Sequence, residues 1–217
     1  MRFADVPQTA NIKHDIDDTI RRLAPMYVEQ LVQFYSSRFS PKQIRKYIVH
    51  QIQEEKISAD DSGFIYPTRN YWPLLRKYND AILKANWILA SMGCVNVRDA
   101  FLTGYPRTMT IIAEDNKAYD IVVAEDEKDI LAGIELIRVE NELRKKSIYE
   151  YNESCKKDED KINADDPVLY TRHILMTPTV KMAMPYKGQG YQFLCVLDSE
   201  NMPHYYNIEK IRKTKGD

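Results

Sequence analysis

Apolar positions recur at helical spacing through the first part of the chain and switch to strand spacing after about residue 107. Ile16, Ile20 and Leu23 share one face of a first helix over 14–23, which Ala24-Pro25 ends. Val28, Leu31, Val32 and Tyr35 predict a second helix over 27–37. A tight link, Arg38-Phe39-Ser40, leads to the strongest local signal in the chain, Ser40-Pro41-Lys42-Gln43. Ser40 can cap a helix, Pro41 sits where its missing N–H does no harm, and Gln43 completes a capping box. The third helix is expected over 41–55, with Ile44, Tyr47, Ile48 and Ile52 facing inward. Lys56-Ile57, a polar turn over 58–63 and Phe64-Ile65-Tyr66 predict a hairpin. Asn70 can cap a long fourth helix from Tyr71 to Met92, which Gly93 ends.

Two strands, 108–113 and 118–124, flank Glu114-Asp115-Asn116-Lys117 as a second hairpin. Ile130, Leu131, Ile134, Ile137 and Leu143 give a long helix over 127–149. A polar, charged stretch over 150–166 reads as a loop. A strand over 169–176 and a last hairpin, 191–198 with 204–208, complete the pattern. The expected class is therefore α+β: a winged helix-turn-helix over 12–69, a connecting helix over 70–93, and a small α/β domain over 106–210 with a mixed or antiparallel sheet.

With 217 residues, 44 % apolar and 29 % charged, the chain has an ordinary globular composition. Cys94, Cys155 and Cys195 are far apart and odd in number, which fits a reduced, cytoplasmic setting better than a disulfide framework. The first ten residues lack the apolar core of a signal peptide, and no stretch approaches a membrane span. Net charge is −1, yet residues 1–93 carry 13 Lys+Arg against 10 Asp+Glu, and residues 94–217 carry 18 against 22. Any contact with nucleic acid must then come from local clustering of cations.

Three helices followed by a hairpin is the order of a winged helix, a motif whose third helix enters the major groove. The candidate DNA-binding residues are Ser40, Lys42, Gln43, Arg45, Lys46, His50 and Lys56. Arg and Gln can make paired hydrogen bonds to base edges, Lys can pair with phosphate, and a capped helix N-terminus offers free N–H groups. Asp60 and Asp61, at the tip of the wing, oppose a phosphate backbone. A solvated helix face or a protein-docking winged helix explains the same residues without DNA.

The order of elements, together with Ala85-Asn86-Trp87-Ile88-Leu89, Tyr105-Pro106, Tyr119-Asp120-Ile121-Val122-Val123, Arg172-His173-Ile174-Leu175, Phe193-Leu194-Cys195-Val196-Leu197-Asp198 and Tyr205-Tyr206, resembles a family carried on bacterial conjugative and plasmid-like elements. That family is similar in layout to replication-relaxation proteins, with a winged helix followed by a small α/β domain related to nuclease-like folds. The resemblance covers most of residues 15–210. It implies a DNA-associated regulatory or accessory role in a mobile element, such as transcription regulation, and supplies no catalytic residues. Glu200-Asn201 departs from the Asp-Gly type of turn expected there.

No enzyme site is legible. A nuclease-like domain needs an acid and an acid-x-Lys pair on neighbouring strands to hold a divalent metal. Asp120 and Glu125 are the acids near a strand, no Glu-x-Lys falls on one, and both acids read more simply as edge and turn residues. His14, His50, His173 and His204 are not spaced for zinc. Lys187-Gly188-Gln189-Gly190 lacks the context of a phosphate loop. No cofactor or metal is expected. The expected partners are duplex DNA, a second copy of the chain in a homodimer, and a protein docked on the C-terminal domain. The alternative function is a protein-protein adaptor or antitoxin-like module, and a divalent-metal nuclease comes third.

Overall fold

Local capping sets the helix starts. In the computed structural model, which describes residues 11–69, 76–166 and 169–211, Asn11 opens α1 (Ile12–Leu23) by accepting from the N–H groups of Lys13 and His14. A two-residue strand, β1 (Met26–Tyr27), precedes α2 (Val28–Phe34). The capping box at Ser40 forms as expected. Ser40 Oγ accepts from the Gln43 N–H at 3.3 Å, and Gln43 Oε1 accepts from the Ser40 N–H at 2.8 Å, so α3 runs Pro41–Gln53. The hairpin is β2 (Ile57–Ala59) with β3 (Phe64–Pro67), and β3 also pairs with β1, giving a three-stranded antiparallel sheet in the order β1-β3-β2. The sequence pattern missed β1, because two residues carry no periodicity.

The inward stripe of α3 is Ile44, Ile48 and Gln51, not Ile52. Seven positions nearly complete two turns, whereas the eighth rotates off the stripe. Gln51 is 3 % exposed and Ile52 is 36 % exposed. Tyr47 is only half-buried, with its hydroxyl on Asp17.

The expected helix start at Asn70 and Tyr71 lies outside the described residues; α4 is described over Arg76–Met92. It was expected to be a connector, but it belongs to the core of the first compact unit, residues 1–96. Ile88 and Leu89 are fully buried with Ile16, Ile20, Leu31, Ile44, Ile48 and Ile65. Two buried amides fasten it. Asn86 Nδ2 donates to the carbonyls of Leu23 and Pro25, and Gln30 Nε2 donates to that of Leu83. These partners lie more than 50 residues away in sequence, so no local pattern announces them.

The second unit covers residues 97–217. Its sheet is mixed and six-stranded: β4 (Val97–Leu102), β5 (Met109–Ala113), β6 (Ala118–Val123), β7 (Arg172–Met176), β8 (Phe193–Leu197) and β9 (Pro203–Asn207), adjacent in that order. β6, β7 and β8 run parallel; the other neighbours are antiparallel. β4 was not predicted, since a bulge between Val97 and Asp99 breaks its alternation and Phe101 faces solvent. The crossover from β6 to β7 contains α5 (Glu127–Ser154), started by Asp126 and longer than expected, so residues 150–154 are helical rather than loop. α6 (Val180–Ala183) follows β7. Asn116 and Asn201, both with φ 62°, supply the left-handed turn positions of the two hairpins, so Asn201 does the work expected of glycine.

α5 packs on Val122, Leu175 and Leu194 through Ile130 and Ile137. The approach is closest at Gly133, where a Cβ would lie 1.9 Å from the Tyr191 hydroxyl. Tyr191 is 2 % exposed and cannot swing aside, so Gly133→Ala is expected to destabilise the second unit by about 1–3 kcal/mol. Chemical denaturation followed by far-ultraviolet circular dichroism measures this, and an unchanged midpoint contradicts the close approach.

Candidate functional site

The outer face of α3 carries the sequence-predicted cations. Lys42, Arg45, Lys46 and His50 line one open surface together with Pro41, Val49 and Gln53. All four are exposed. Among the described residues, Lys42 and Lys46 have no carboxylate partner. Arg45 lies 3.7 Å from Glu29, with both side chains more than half exposed. His50 is 3.1 Å from Glu54, and Lys56 pairs with the same Glu54. Such exposed pairs are weak and exchange readily for another anion. The side chains of Ser40 and Gln43 are spent on the helix cap, and Lys56 lies off the shared surface. Four of the seven predicted residues are therefore brought together as free or loosely paired groups, and three serve other contacts.

Asp60 builds the turn of the hairpin. Its carboxylate accepts from the N–H groups of Ser62 at 2.9 Å and Phe64 at 3.3 Å, and Gly63 takes the left-handed position with φ 84°. The acid at the hairpin tip is thus explained by local folding.

The second unit holds a buried ionic cluster that spacing along the chain does not reveal. The register aligns Thr110, Asp120 and His173 across β5, β6 and β7. Asp120 is 2 % exposed on an inner strand, which corrects its reading as an edge or turn residue. One carboxylate oxygen accepts from Thr110 Oγ1 at 2.5 Å; the other accepts from Arg107 at 2.5 Å. Arg107 reaches on to Glu140 of α5 at 3.1 Å. Both carboxylate oxygens of Asp120 are therefore taken by protein donors. Among the described residues no group of three His, Cys, Asp or Glu side chains is placed to hold a metal ion. Glu125 is exposed after β6, as a turn residue. The one clue in the sequence was a carboxylate set within an apolar run, Asp120-Ile121-Val122-Val123.

His173 is 4 % exposed, and its Nδ1 lies 3.9 Å from Asp120. Burial pulls its pKa down to about 4, against the opposing pull of Asp120, so it is neutral near pH 7. The unfolded chain protonates this residue near pH 6.5, and the folded chain does so only near 4. Between those values the unfolded state binds the extra proton. His173 therefore makes stability rise with pH across that window and contributes no slope above it. The expected loss from pH 7 to pH 4 is on the order of 2–3 kcal/mol. Comparing wild type with His173→Gln isolates it from the carboxylates that titrate in the same range; equal slopes contradict the assignment.

Cys94 and Cys195 are buried, as expected, and burial pushes the Cys195 thiol up to about 12, away from nucleophilic chemistry. No helix of the described residues is long and apolar enough to cross a membrane. No protein-family model, curated protein or solved structure matches the chain.

Proposed function

We propose that the chain binds duplex DNA through α3 of a winged helix formed by residues 12–69, as a regulatory or accessory factor of a mobile element. The observation that carries this reading is the exposed face of α3, where Lys42 and Lys46 project without a carboxylate partner among the described residues and Arg45 is held only by a solvent-exposed glutamate. The element order helix, strand, helix, helix, strand, strand, with the sheet order β1-β3-β2, supports the winged-helix assignment. At the N-terminus of α3 the capping box takes the Ser40 and Gln43 N–H groups and Pro41 has none, which leaves the Lys42 N–H and the helix dipole to favour phosphate. Two copies reading two half-sites complete the proposal. The test is duplex binding over a range of salt concentrations by wild type and cation-deleted variants of α3.

One observation favours a protein-docking winged helix instead. Val49 sits among these cations and is 54 % exposed, an apolar centre with a charged rim. Docking of that kind depends on Val49 more than on Lys42 and Lys46 and varies little with salt, which separates it from DNA binding.

A further inference from the structure

Lys42, Lys46 and Val49 lie on the side of α3 opposite its inward side, which is made by Ile44, Tyr47, Ile48 and Gln51. Arg45 and His50 flank them. Val49 is 54 % exposed in their midst. We propose that Val49 is a specificity-determining residue, which packs on the 5-methyl group of a thymine in the major groove. The inference rests on duplex binding by α3 and names what that face selects.

α3 has 13 residues, so it spans about 20 Å and is about 10–12 Å across with its side chains. The major groove is about 12 Å wide and admits such a cylinder. Lysine side chains are long and flexible enough to leave the groove floor and meet phosphates on either side. A valine side chain is short and stiff, so Val49 stays where the helix puts it and meets whatever lies beneath.

Valine makes no hydrogen bond. The amino and carbonyl edges of bases set against it lose water and gain nothing. Of the groups that base pairs present in the major groove, the thymine 5-methyl is the apolar one. Contact between that methyl and Val49 takes apolar surface out of water on both sides and leaves no donor or acceptor unsatisfied.

The surroundings favour DNA over a protein as the occupant. The other apolar residue on this face, Pro41, lies about 12 Å away along the helix. One valine among Lys42, Arg45, Lys46 and His50 is a small core for a protein interface, whose anchors are mostly aromatic residues and arginine, with valine under-represented. A single methyl group matches it in size, and the basic residues around it match the charge of a phosphate backbone.

The test begins with selection of duplexes from a random pool by the full chain at low salt. The selected site is expected to contain a fixed T·A pair. Each thymine of that site is then replaced in turn by deoxyuridine, which deletes the methyl group and keeps the hydrogen-bonding groups of the pair. At the thymine beneath Val49 the replacement is expected to weaken wild-type binding about fourfold, as loss of one buried carbon does. Val49→Ala is expected to hold the thymine duplex about fourfold less tightly than wild type and to be indifferent to the replacement, so the two losses do not add. The variant should fold, since the position is exposed and alanine is the better helix former. A selected site without a fixed thymine, thymines all insensitive to loss of the methyl group, or equal sensitivity in Val49→Ala overturns the role of Val49 and leaves duplex binding by α3 standing. Failure of wild type to retain any duplex overturns both, and leaves the face to a protein partner.

Discussion

Lys42→Ala combined with Lys46→Ala is expected to lower duplex affinity about 100-fold at 50 mM salt, because each released phosphate contact is worth roughly tenfold there. The slope of log affinity against log salt should fall in magnitude by about 2. Both side chains project from α3 without a partner among the described residues, so removing them breaks no ion pair, and thermal stability should stay within about 0.5 kcal/mol of wild type. Arg45→Ala should have a smaller effect, since Glu29 already shares the charge of Arg45. Gel-shift or anisotropy titrations at three salt concentrations measure all of this. If the folded double variant holds duplex as tightly as wild type at every salt concentration, the α3 face is not the DNA surface. If wild type itself fails to bind a generic duplex at low salt, the DNA reading falls altogether, and Val49→Asp becomes the variant to try against protein partners.

The largest loss of stability is expected at Asp120. Its carboxylate is 2 % exposed and satisfies both Thr110 and Arg107. Asp120→Ala strips Arg107 of its shorter ion pair and leaves Thr110 without an acceptor. Breaking one side of a buried pair costs about 3–5 kcal/mol. Glu140→Ala should cost far less, because its carboxylate is 35 % exposed and water replaces it. Replacing Arg107 and Asp120 together, as Arg107→Met with Asp120→Leu, should recover much of the loss by removing both charges. Both tryptophans fall within the first 96 residues, so fluorescence reports on the wrong unit. Amide hydrogen exchange in β6 and β7 reads the second unit directly. A loss below about 1 kcal/mol in Asp120→Ala shows that the cluster is not the buried pair described here.

The contrast between these two places reflects what each is made of. Ser40, Gln43 and the cations of α3 lie within one short segment, so spacing alone predicts which share a helix face. The cluster at Asp120 draws on residues 107, 110, 120, 140 and 173, contributed by a loop, three strands and a helix. Their spacing has no period, and only the parallel pairing of β6 with β7 sets Asp120 beside His173.

Sequence alone determined the local elements. The capping box at Ser40 is a contact between neighbours in the chain, as are the turns at Asp60 and Asn116 and the apolar stripe of α1. Tertiary structure decided the rest. It made α4 part of the first core through Asn86 and Gln30, and turned Gln51 inward in place of Ile52. It also gave Glu29 to Arg45 while leaving Lys46 without a carboxylate partner among the described residues, and it set His173 beside Asp120. The physical reason is range: capping and helical periodicity act over three or four residues, whereas strand partners, buried amides and ion pairs join residues dozens of positions apart and exist only once the chain has closed on itself.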